Sequence, residues 1–80
     1  MIDWYVYIVE CVDSSLYTGI SPSVEKRVAL HNSGLGAKSV KGKLPVILVY
    51  KEKIGSKIEA ARREREIKGW SRTKKQELIM

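Results

Sequence analysis

Residues 4–19 hold two runs of strand-forming residues separated by a short turn, a pattern that restricts the fold more than any other stretch of this chain. The first run, WYVYIVE at 4–10, is rich in aromatic and β-branched side chains. The second run, LYTG at 16–19, follows the turn-forming residues DSS at 13–15. We therefore expect a β-hairpin near the start of the chain.

The register of this hairpin decides which tyrosines lie together. If the turn is centred on Asp13, Val9 lies opposite Tyr17 on the neighbouring strand. Tyr7 then lies diagonally across from Tyr17, on the same face of the sheet. The hairpin thus places two phenol groups on one face, in a chain that contains four tyrosines and no phenylalanine.

After the hairpin, the residues predict a helix and then a loop. SPS at 21–23 supplies capping hydroxyls and a proline suited to the first helical turn, and helical spacing continues over 24–31. NSG at 32–34 is a helix-ending sequence. The stretch 34–45 has three glycines and three lysines without periodicity, which predicts a mobile basic loop.

The second half of the chain predicts one strand and two helices. VILVYK at 46–51 is almost continuously apolar, which favours a central strand covered on both faces. SKIE at 56–59 fits a capping box at the start of a helix that runs to about Lys68. A last short helix is predicted at 71–79.

The length and the cysteine content limit the class of protein. Eighty residues are enough for one small domain and too few for two, so residues 1–80 are assigned to a single domain. The longest apolar run, at 44–50, is far shorter than the roughly 20 residues of a membrane-spanning helix. No secretory signal is evident, and the single Cys11 cannot form an internal disulfide, so we expect a cytoplasmic protein. Cys11 and His31 are too few for a zinc site with soft ligands.

The charge of the chain indicates the class of partner. Fifteen Lys and Arg against nine Asp and Glu give a net charge of +6 and a pI near 9.6. A polyanion such as nucleic acid is the natural partner of this surface. The alternative is that the positive charge is simply a solvated face, as in many small basic proteins.

One carboxylate lies on the wrong side of its predicted helix. Ala60, Ala61 and Ile67 define the apolar side of the helix that begins near residue 56, and Glu64 falls among them. Because burial of an unpaired carboxylate costs several kcal/mol, Glu64 should lie at the edge of the core, pair with a cation or bind a metal.

The first helix has a similar pair of polar residues. Arg27 and His31 are four residues apart and share an arc with Val24 and Val28. Each has an ordinary explanation, since Arg27 can extend its charge to solvent and His31 can be a hydrogen-bonded core histidine. The two tyrosines of the hairpin, Arg27, His31 and Glu64 are nevertheless five polar groups on surfaces that should cover the core, which favours one shared site.

These residues resemble the signature of the GIY-YIG nuclease superfamily. YVY at 5–7 stands where that family has Gly-Ile-Tyr, and YTG at 17–19 stands where it has Tyr-Ile-Gly. The resemblance continues in the same order through VEKR at 24–27, HN at 31–32 and EAARRE at 59–64. HNSGLGAKSVKG and RREREIK are similar to a small, single-domain bacterial branch of the superfamily.

This resemblance implies a fold and an activity. The fold would be α+β, with a three-stranded antiparallel sheet flanked by about three helices, in agreement with the strands and helices predicted above. The activity would be hydrolysis of DNA phosphodiesters with one divalent cation, Mg²⁺ or Mn²⁺.

The resemblance also implies a role for each polar residue of the shared site. Glu64 would be the single protein ligand of the metal, a hard oxygen donor suited to a hard ion. Tyr17 would be the general base for the attacking water, and Tyr7 would hydrogen-bond in the same network. Arg27 would stabilise charge on the phosphate, and His31 would position phosphate or water or relay protons. Because a free phenol titrates near pH 10, the rate should rise into the alkaline range.

Phosphate contacts of low sequence specificity would come from basic side chains of the loop and the last two helices. The candidates are Lys38, Lys41, Lys43, Arg62, Arg63, Arg65, Lys68, Arg72, Lys74 and Lys75. A protein partner could supply specificity. The alternative is a basic nucleic-acid-binding module that keeps the fold without catalysis. It is favoured because many members of the family that this chain resembles have an asparagine after the metal-binding glutamate, and Asn32 is the last asparagine of this chain.

Overall fold

The computed structural model describes residues 2–80 and contains one sheet and four helices in that range. The elements are β1 (Trp4–Glu10), β2 (Leu16–Ser21), α1 (Val24–Asn32), α2 (Lys38–Lys41), β3 (Ile47–Gly55), α3 (Lys57–Lys68) and α4 (Arg72–Ile79). The strand order is β2-β1-β3, and both pairings are antiparallel. The predicted α+β fold class is therefore confirmed.

The hairpin of β1 and β2 has the predicted register. Val9 pairs with Tyr17, which leaves Tyr7 diagonal to Tyr17 on the same face. Asp13 closes the turn, since its Oδ1 accepts hydrogen bonds from the Ser15 amide at 3.0 Å and the Ser15 hydroxyl at 2.6 Å. Local turn chemistry thus determines which side chains of the hairpin share a face.

Helices cover both faces of the sheet. Alternate residues of β1 point to opposite faces and therefore enter two separate cores. The first core lies on the side of α1 and α2, and the second lies on the side of α3. Their buried members are Tyr7, Val9, Cys11, Val24, Val40 and Val46 in the first core, and Val6, Ile8, Ala60 and Ile67 in the second. Tyr7 therefore lies in the first core, on the face that α1 covers.

Two predictions about the middle of the chain are wrong. The apolar run at 46–51 belongs to β3, which is an edge strand, and β1 is the central strand. Ile47 in this run is 65% exposed. An apolar run therefore does not ensure burial on both faces, because burial depends on which elements pack against the strand. The stretch 34–45 is not a continuous loop, since it contains α2, and Val40 anchors that helix in the first core with 1% exposure.

The predicted beginnings of the last two helices are confirmed. At α3, the Ser56 hydroxyl accepts a hydrogen bond from the Glu59 amide, and the Glu59 carboxylate accepts one from the Ser56 amide. Ser71 caps α4 by accepting a hydrogen bond from the Lys74 amide. In the described range 2–80, none of the helices is long and apolar enough to cross a membrane.

Candidate active site

Three aromatic rings from three elements meet on the α1 side of the sheet. Tyr7 comes from β1, Tyr17 from β2 and His31 from the last turn of α1. The ring centroid of Tyr17 lies 6.4 Å from that of Tyr7 and 5.4 Å from that of His31. Tyr7 and His31 are each 1% exposed, whereas Tyr17 is half-buried. Tyr17 is therefore the ring of the three that solvent can reach.

Tyr7 is a buried phenol that remains protonated. Burial is the main reason that its pKa lies far above the ordinary value, and the neighbouring Tyr17 and Glu64 groups raise this pKa further. The positive charge of Arg27 acts in the opposite direction and does not offset the burial. Tyr7 can consequently donate or accept a hydrogen bond at neutral pH, but it is a poor candidate for a base.

His31 has a hydrogen-bond partner on each ring nitrogen. Its Nε2 lies 2.8 Å from the Tyr7 hydroxyl, and its Nδ1 accepts a hydrogen bond of 3.3 Å from the Ala37 amide. Burial and the positive charge of Arg27 lower the pKa of His31, so the imidazole is held in its neutral form. His31 is thus a hydrogen-bonded core histidine that is also a member of the ring cluster.

The rings approach the backbone so closely that two positions require glycine. A Cβ on Gly19 would lie 2.6 Å from the Tyr7 hydroxyl oxygen, and a Cβ on Gly36 would lie 2.8 Å from the His31 Cα and closer still to Nδ1. Gly19 is the glycine of the YTG motif. The contribution of Gly36 and Ala37 was not anticipated from the sequence, and the glycines of GLGA at 34–37 were the available signal.

Glu64 lies beside the ring cluster on α3. Its carboxylate is half-buried, with 22% of the side chain exposed, and Oε2 lies 3.2 Å from the Lys68 ammonium. The same ammonium lies 5.8 Å from the centre of the Tyr17 ring. Of the settings expected for Glu64, the structure therefore shows pairing with a cation. Because that cation also lies beside the Tyr17 ring, the carboxylate is close to the half-buried phenol.

The donor set around Glu64 suits only certain metals. No group of three His, Cys, Asp or Glu residues in the described part of the chain could hold a metal ion. A cation at Glu64 would have one carboxylate from the protein and would need water and substrate oxygens to complete its shell. This arrangement fits Mg²⁺ or Mn²⁺, which retain water ligands, and does not fit a structural zinc ion.

Arg27 lies on α1, one helical turn before His31, and is exposed. Its charge affects the pKa values of both Tyr7 and His31, so the guanidinium is close to the ring cluster. Within residues 2–80, no carboxylate forms an ion pair with it. The structure therefore brings all five predicted site residues, Tyr7, Tyr17, Arg27, His31 and Glu64, to one region.

The candidate phosphate-binding side chains of the middle segment differ in their surroundings. Lys38 and Lys41 are exposed on α2 and form no ion pair among the described residues. Lys43 is partly neutralised, since its ammonium lies 3.8 Å from the Asp13 carboxylate. The α2 lysines are thus the more available cations of this segment.

The candidates on α3 and α4 include one clear difference from the sequence interpretation. Arg63 is a candidate phosphate contact, but its guanidinium lies between two carboxylates, with Nε donating to Glu52 at 2.8 Å and Nη1 donating to Glu66. Arg62 is exposed, and Arg72 donates to the Ser14 carbonyl oxygen at 2.6 Å. Long-range ion pairing explains the position of Arg63, because Glu52 lies on β3 and is distant in the sequence.

Comparison with known proteins identifies the family of this chain. The sequence model of the GIY-YIG catalytic domain matches residues 3–77. The chain belongs to the GIY-YIG family. Among its relatives, a UPF0213 protein of Staphylococcus haemolyticus is 57% identical over 75 residues, which are 94% of this chain and 92% of that one. A UPF0213 protein of Natronomonas pharaonis is 51% identical over 77 residues, covering 96% of this chain and 91% of that one.

A solved structure is similar to this GIY-YIG chain in fold and in sequence. The solution NMR structure of a UPF0213 protein from Bacillus halodurans has a TM-score of 0.61 and 47% sequence identity to this chain. The match covers 96% of this chain and 82% of that one. The family signature predicted from YVY and YTG is thereby confirmed, and membership implies a nucleic-acid substrate and a divalent metal at the level of the superfamily.

Proposed function

We propose that this GIY-YIG domain is a nuclease that hydrolyses DNA phosphodiesters with Mg²⁺ or Mn²⁺ and with low sequence specificity. The observation that carries this proposal is the position of Tyr17. Its half-buried phenol lies between the buried Tyr7–His31 pair and the Glu64–Lys68 ion pair. A base, a hydrogen-bonded neighbour, a carboxylate and a cation are thus within one site.

Tyr17 is assigned the role of general base. A base must reach the water from which it takes a proton, and Tyr17 is half-buried whereas the other two rings of the cluster are buried. The Lys68 ammonium lies 5.8 Å from the centre of the Tyr17 ring, so a positive charge is present beside the assigned base. At neutral pH Tyr7 is a neutral phenol and His31 a neutral imidazole, so we assign both residues to positioning and not to proton abstraction.

Glu64 and Arg27 are assigned to the metal and the phosphate. Glu64 would hold the divalent ion, which when bound supplies positive charge to a phosphate oxygen and lowers the pKa of coordinated water. Arg27 would bind the phosphate through its exposed guanidinium, which has no competing carboxylate in the described range. His31 is too deeply buried to meet a phosphate directly, so we assign it a positioning role through Tyr7.

The cations of the domain would contact the DNA backbone. Lys38, Lys41 and Arg62 are exposed, and contacts from such side chains to phosphate carry no sequence information. Sequence or structure preference would then have to come from a protein partner or from the shape of the DNA.

Cleavage of supercoiled, single-stranded and branched DNA with Mg²⁺, Mn²⁺ or chelator tests this function. We expect metal-dependent cutting by the unmodified chain and a loss of about 10² to 10⁴ in rate for Tyr17→Phe, which is the range for removal of a general base. Glu64→Gln should abolish the metal-dependent cutting, since it removes the charged ligand.

Two matched variants separate catalysis from stability. Tyr50→Phe removes a phenol from the second core, and Glu77→Gln removes an exposed carboxylate that has no ion-pair partner in residues 2–80. Both variants should cut DNA at nearly the unmodified rate. If Tyr17→Phe and Glu64→Gln cut DNA as fast as these controls, the assigned roles are wrong.

A binding module without catalysis is the second candidate. Two observations favour it: the Lys68 ammonium already lies on Glu64, and Asn32 is used in a structural clamp on the Val46 backbone. In that clamp, the Val46 amide donates to Asn32 Oδ1 at 2.7 Å, and Nδ2 donates to the Val46 carbonyl at 3.1 Å. DNA binding without metal-dependent cutting of any of the substrates would select this candidate.

A further inference from the structure

The turn between α1 and α2 contacts His31 through two residues that have no part in the proposed chemistry. Gly36 lies against the imidazole so closely that a Cβ at this position would overlap Nδ1. Ala37 directs its backbone N–H to the same nitrogen, at 3.3 Å. Because both contacts are made by backbone or by the absence of a side chain, they depend on the path of the loop.

The Ala37 amide determines which nitrogen of His31 can carry the proton. A neutral imidazole has one N–H donor and one unprotonated acceptor. Since a backbone N–H can only donate, Nδ1 must be the acceptor, and the proton must then lie on Nε2. A proton on Nδ1 would leave two part-buried N–H donors facing each other, which opposes that tautomer about tenfold or more.

The tautomer in turn sets the direction of the next hydrogen bond. The Tyr7 hydroxyl lies 2.8 Å from Nε2 and must accept the Nε2 proton. Its own proton is then left to be donated in another direction. We propose that Gly36 and Ala37 form a tautomer lock, which holds the His31 proton on Nε2 and thereby directs the Tyr7 hydroxyl proton into the active site.

The surroundings of His31 support a neutral ring, which the lock requires. His31 is 1% exposed, and burial together with the Arg27 charge lowers its pKa. The groups that face it are Tyr7, Tyr17 and Arg27, and none of them is a carboxylate that could stabilise an imidazolium. The lock itself is a property of the free protein, whereas its consequence for cleavage rests on the proposed nuclease function.

Nitrogen-15 NMR of the imidazole tests the lock directly. His31 is the single histidine of the chain, so its two ring nitrogens give the only imidazole signals. At neutral to slightly alkaline pH, we expect Nε2 to show the shift of a protonated nitrogen and Nδ1 that of an unprotonated one. A spectrum with the proton on Nδ1, or with both tautomers equally populated, overturns the proposal.

Two variants identify what sets the tautomer. Ala37→Pro removes the amide proton at a residue whose φ of −65° proline already satisfies, and Ala37→Ser keeps the amide as the matched control. We expect mixed tautomers in the proline variant and the unmodified pattern in the serine variant. Tyr7→Phe removes the acceptor at Nε2 but should retain the tautomer, because the loop sets it.

The outcomes remain decisive even if one variant fails to fold. Loss of the tautomer bias in Tyr7→Phe overturns the lock, and so does full retention of the bias in folded Ala37→Pro. If the proline variant does not fold, the spectra of the unmodified protein and of Tyr7→Phe decide.

In cleavage assays, Ala37→Pro should lower kcat about tenfold or more with little change in KM, since it disturbs a positioning contact. Failure of the unmodified chain to cut DNA would reject the nuclease function and leave the NMR result standing.

Discussion

Single residues decide whether the ring cluster can form. Tyr7 and His31 are large, polar and almost fully buried, and such groups are tolerated in a core only when their polar atoms are paired. They pair with each other, and two glycines leave the room that their rings occupy. The two glycines of the site are therefore as important for its geometry as the reactive side chains.

Gly19→Ala should destabilise the domain. The added Cβ would lie 2.6 Å from the Tyr7 oxygen, and the ring cannot move away easily because it is buried and hydrogen-bonded to His31. We expect a loss of about 1 to 3 kcal/mol in the free energy of unfolding, measured by urea denaturation. Gly42→Ala is the control, since its Cβ would meet nothing within 4 Å and its φ is −90°. Equal stability of the two variants would contradict the close approach.

His31 should make the stability of the fold depend on pH. Its pKa is lowered in the folded state, so the unfolded chain takes up a proton first as the pH falls through about 6.5. The free energy of unfolding should therefore decrease from pH 7 toward pH 5, by at most about 1.4 kcal/mol per pH unit, and level off below the folded-state pKa. The ordinary pKa values of Asp13 and Glu25 already lie below pH 5, and the folded state lowers them further, so both carboxylates stay ionised in most of this window.

The comparison that isolates this effect is between the unmodified chain and His31→Gln, each unfolded in urea at several pH values. The glutamine variant should be less stable at pH 7, because the Tyr7 contact is altered, and its stability should change less between pH 7 and pH 5. Parallel stability curves would show that His31 titrates alike in the folded and unfolded states.

Among the secondary-structure elements, α3 and α4 differ in how firmly they are held. α3 has both halves of a capping box and buries Ala60 and Ile67, whereas α4 has a single cap and no buried residue. α4 contacts the second core through half-buried side chains, such as Leu78 and Ile79. Since Glu64 lies on α3, the more firmly held helix carries the proposed metal ligand.

Ser56→Ala and Ser71→Ala should therefore have different effects. Removal of the α3 cap should lower the global free energy of unfolding by about 0.5 to 2 kcal/mol, because α3 is part of the core. Removal of the α4 cap should mainly increase amide hydrogen exchange within 72–79, because α4 can open without unfolding the rest. Urea denaturation and native-state hydrogen exchange on both variants measure this difference, and identical exchange patterns would contradict it.

Over the whole molecule, the positive charge is unevenly neutralised. In the described range, Lys43, Lys51, Lys53, Arg63 and Lys68 have carboxylate partners within 4 Å. The cations for which residues 2–80 supply no such partner are Lys26, Arg27, Lys38, Lys41, Lys57, Arg62, Arg65, Arg72, Lys74 and Lys75. The second group supplies most of the field that a polyanion would meet.

Two double variants of equal net charge test whether this distribution governs DNA binding. Lys38→Gln with Lys41→Gln removes two unpaired cations, and Lys51→Gln with Lys53→Gln removes two that are paired with Glu25 and Asp3. The first variant should bind duplex DNA more weakly, and the slope of log affinity against log salt should fall by about 0.9 for each lost phosphate contact. Titrations at several salt concentrations measure both effects, and equal slopes would show that only net charge matters.

Features that depend on near neighbours could be predicted from the residues alone. The hairpin register follows from turn chemistry at Asp13, the starts of α3 and α4 follow from Ser56 and Ser71, and the order of motifs identifies the GIY-YIG family. The register and the helix starts were predictable because each is decided by residues within a few positions along the chain, and the family was predictable because its motifs are short and occur in a fixed order.

Other contacts between distant segments were indicated by no motif and follow from the packing of the folded chain. This packing made β1 the central strand, drew Arg63 to Glu52, and seated the Ala37 amide on His31. The physical reason is that burial and hydrogen bonding between distant segments depend on how whole elements pack, and an apolar run or a helical face is compatible with more than one such packing.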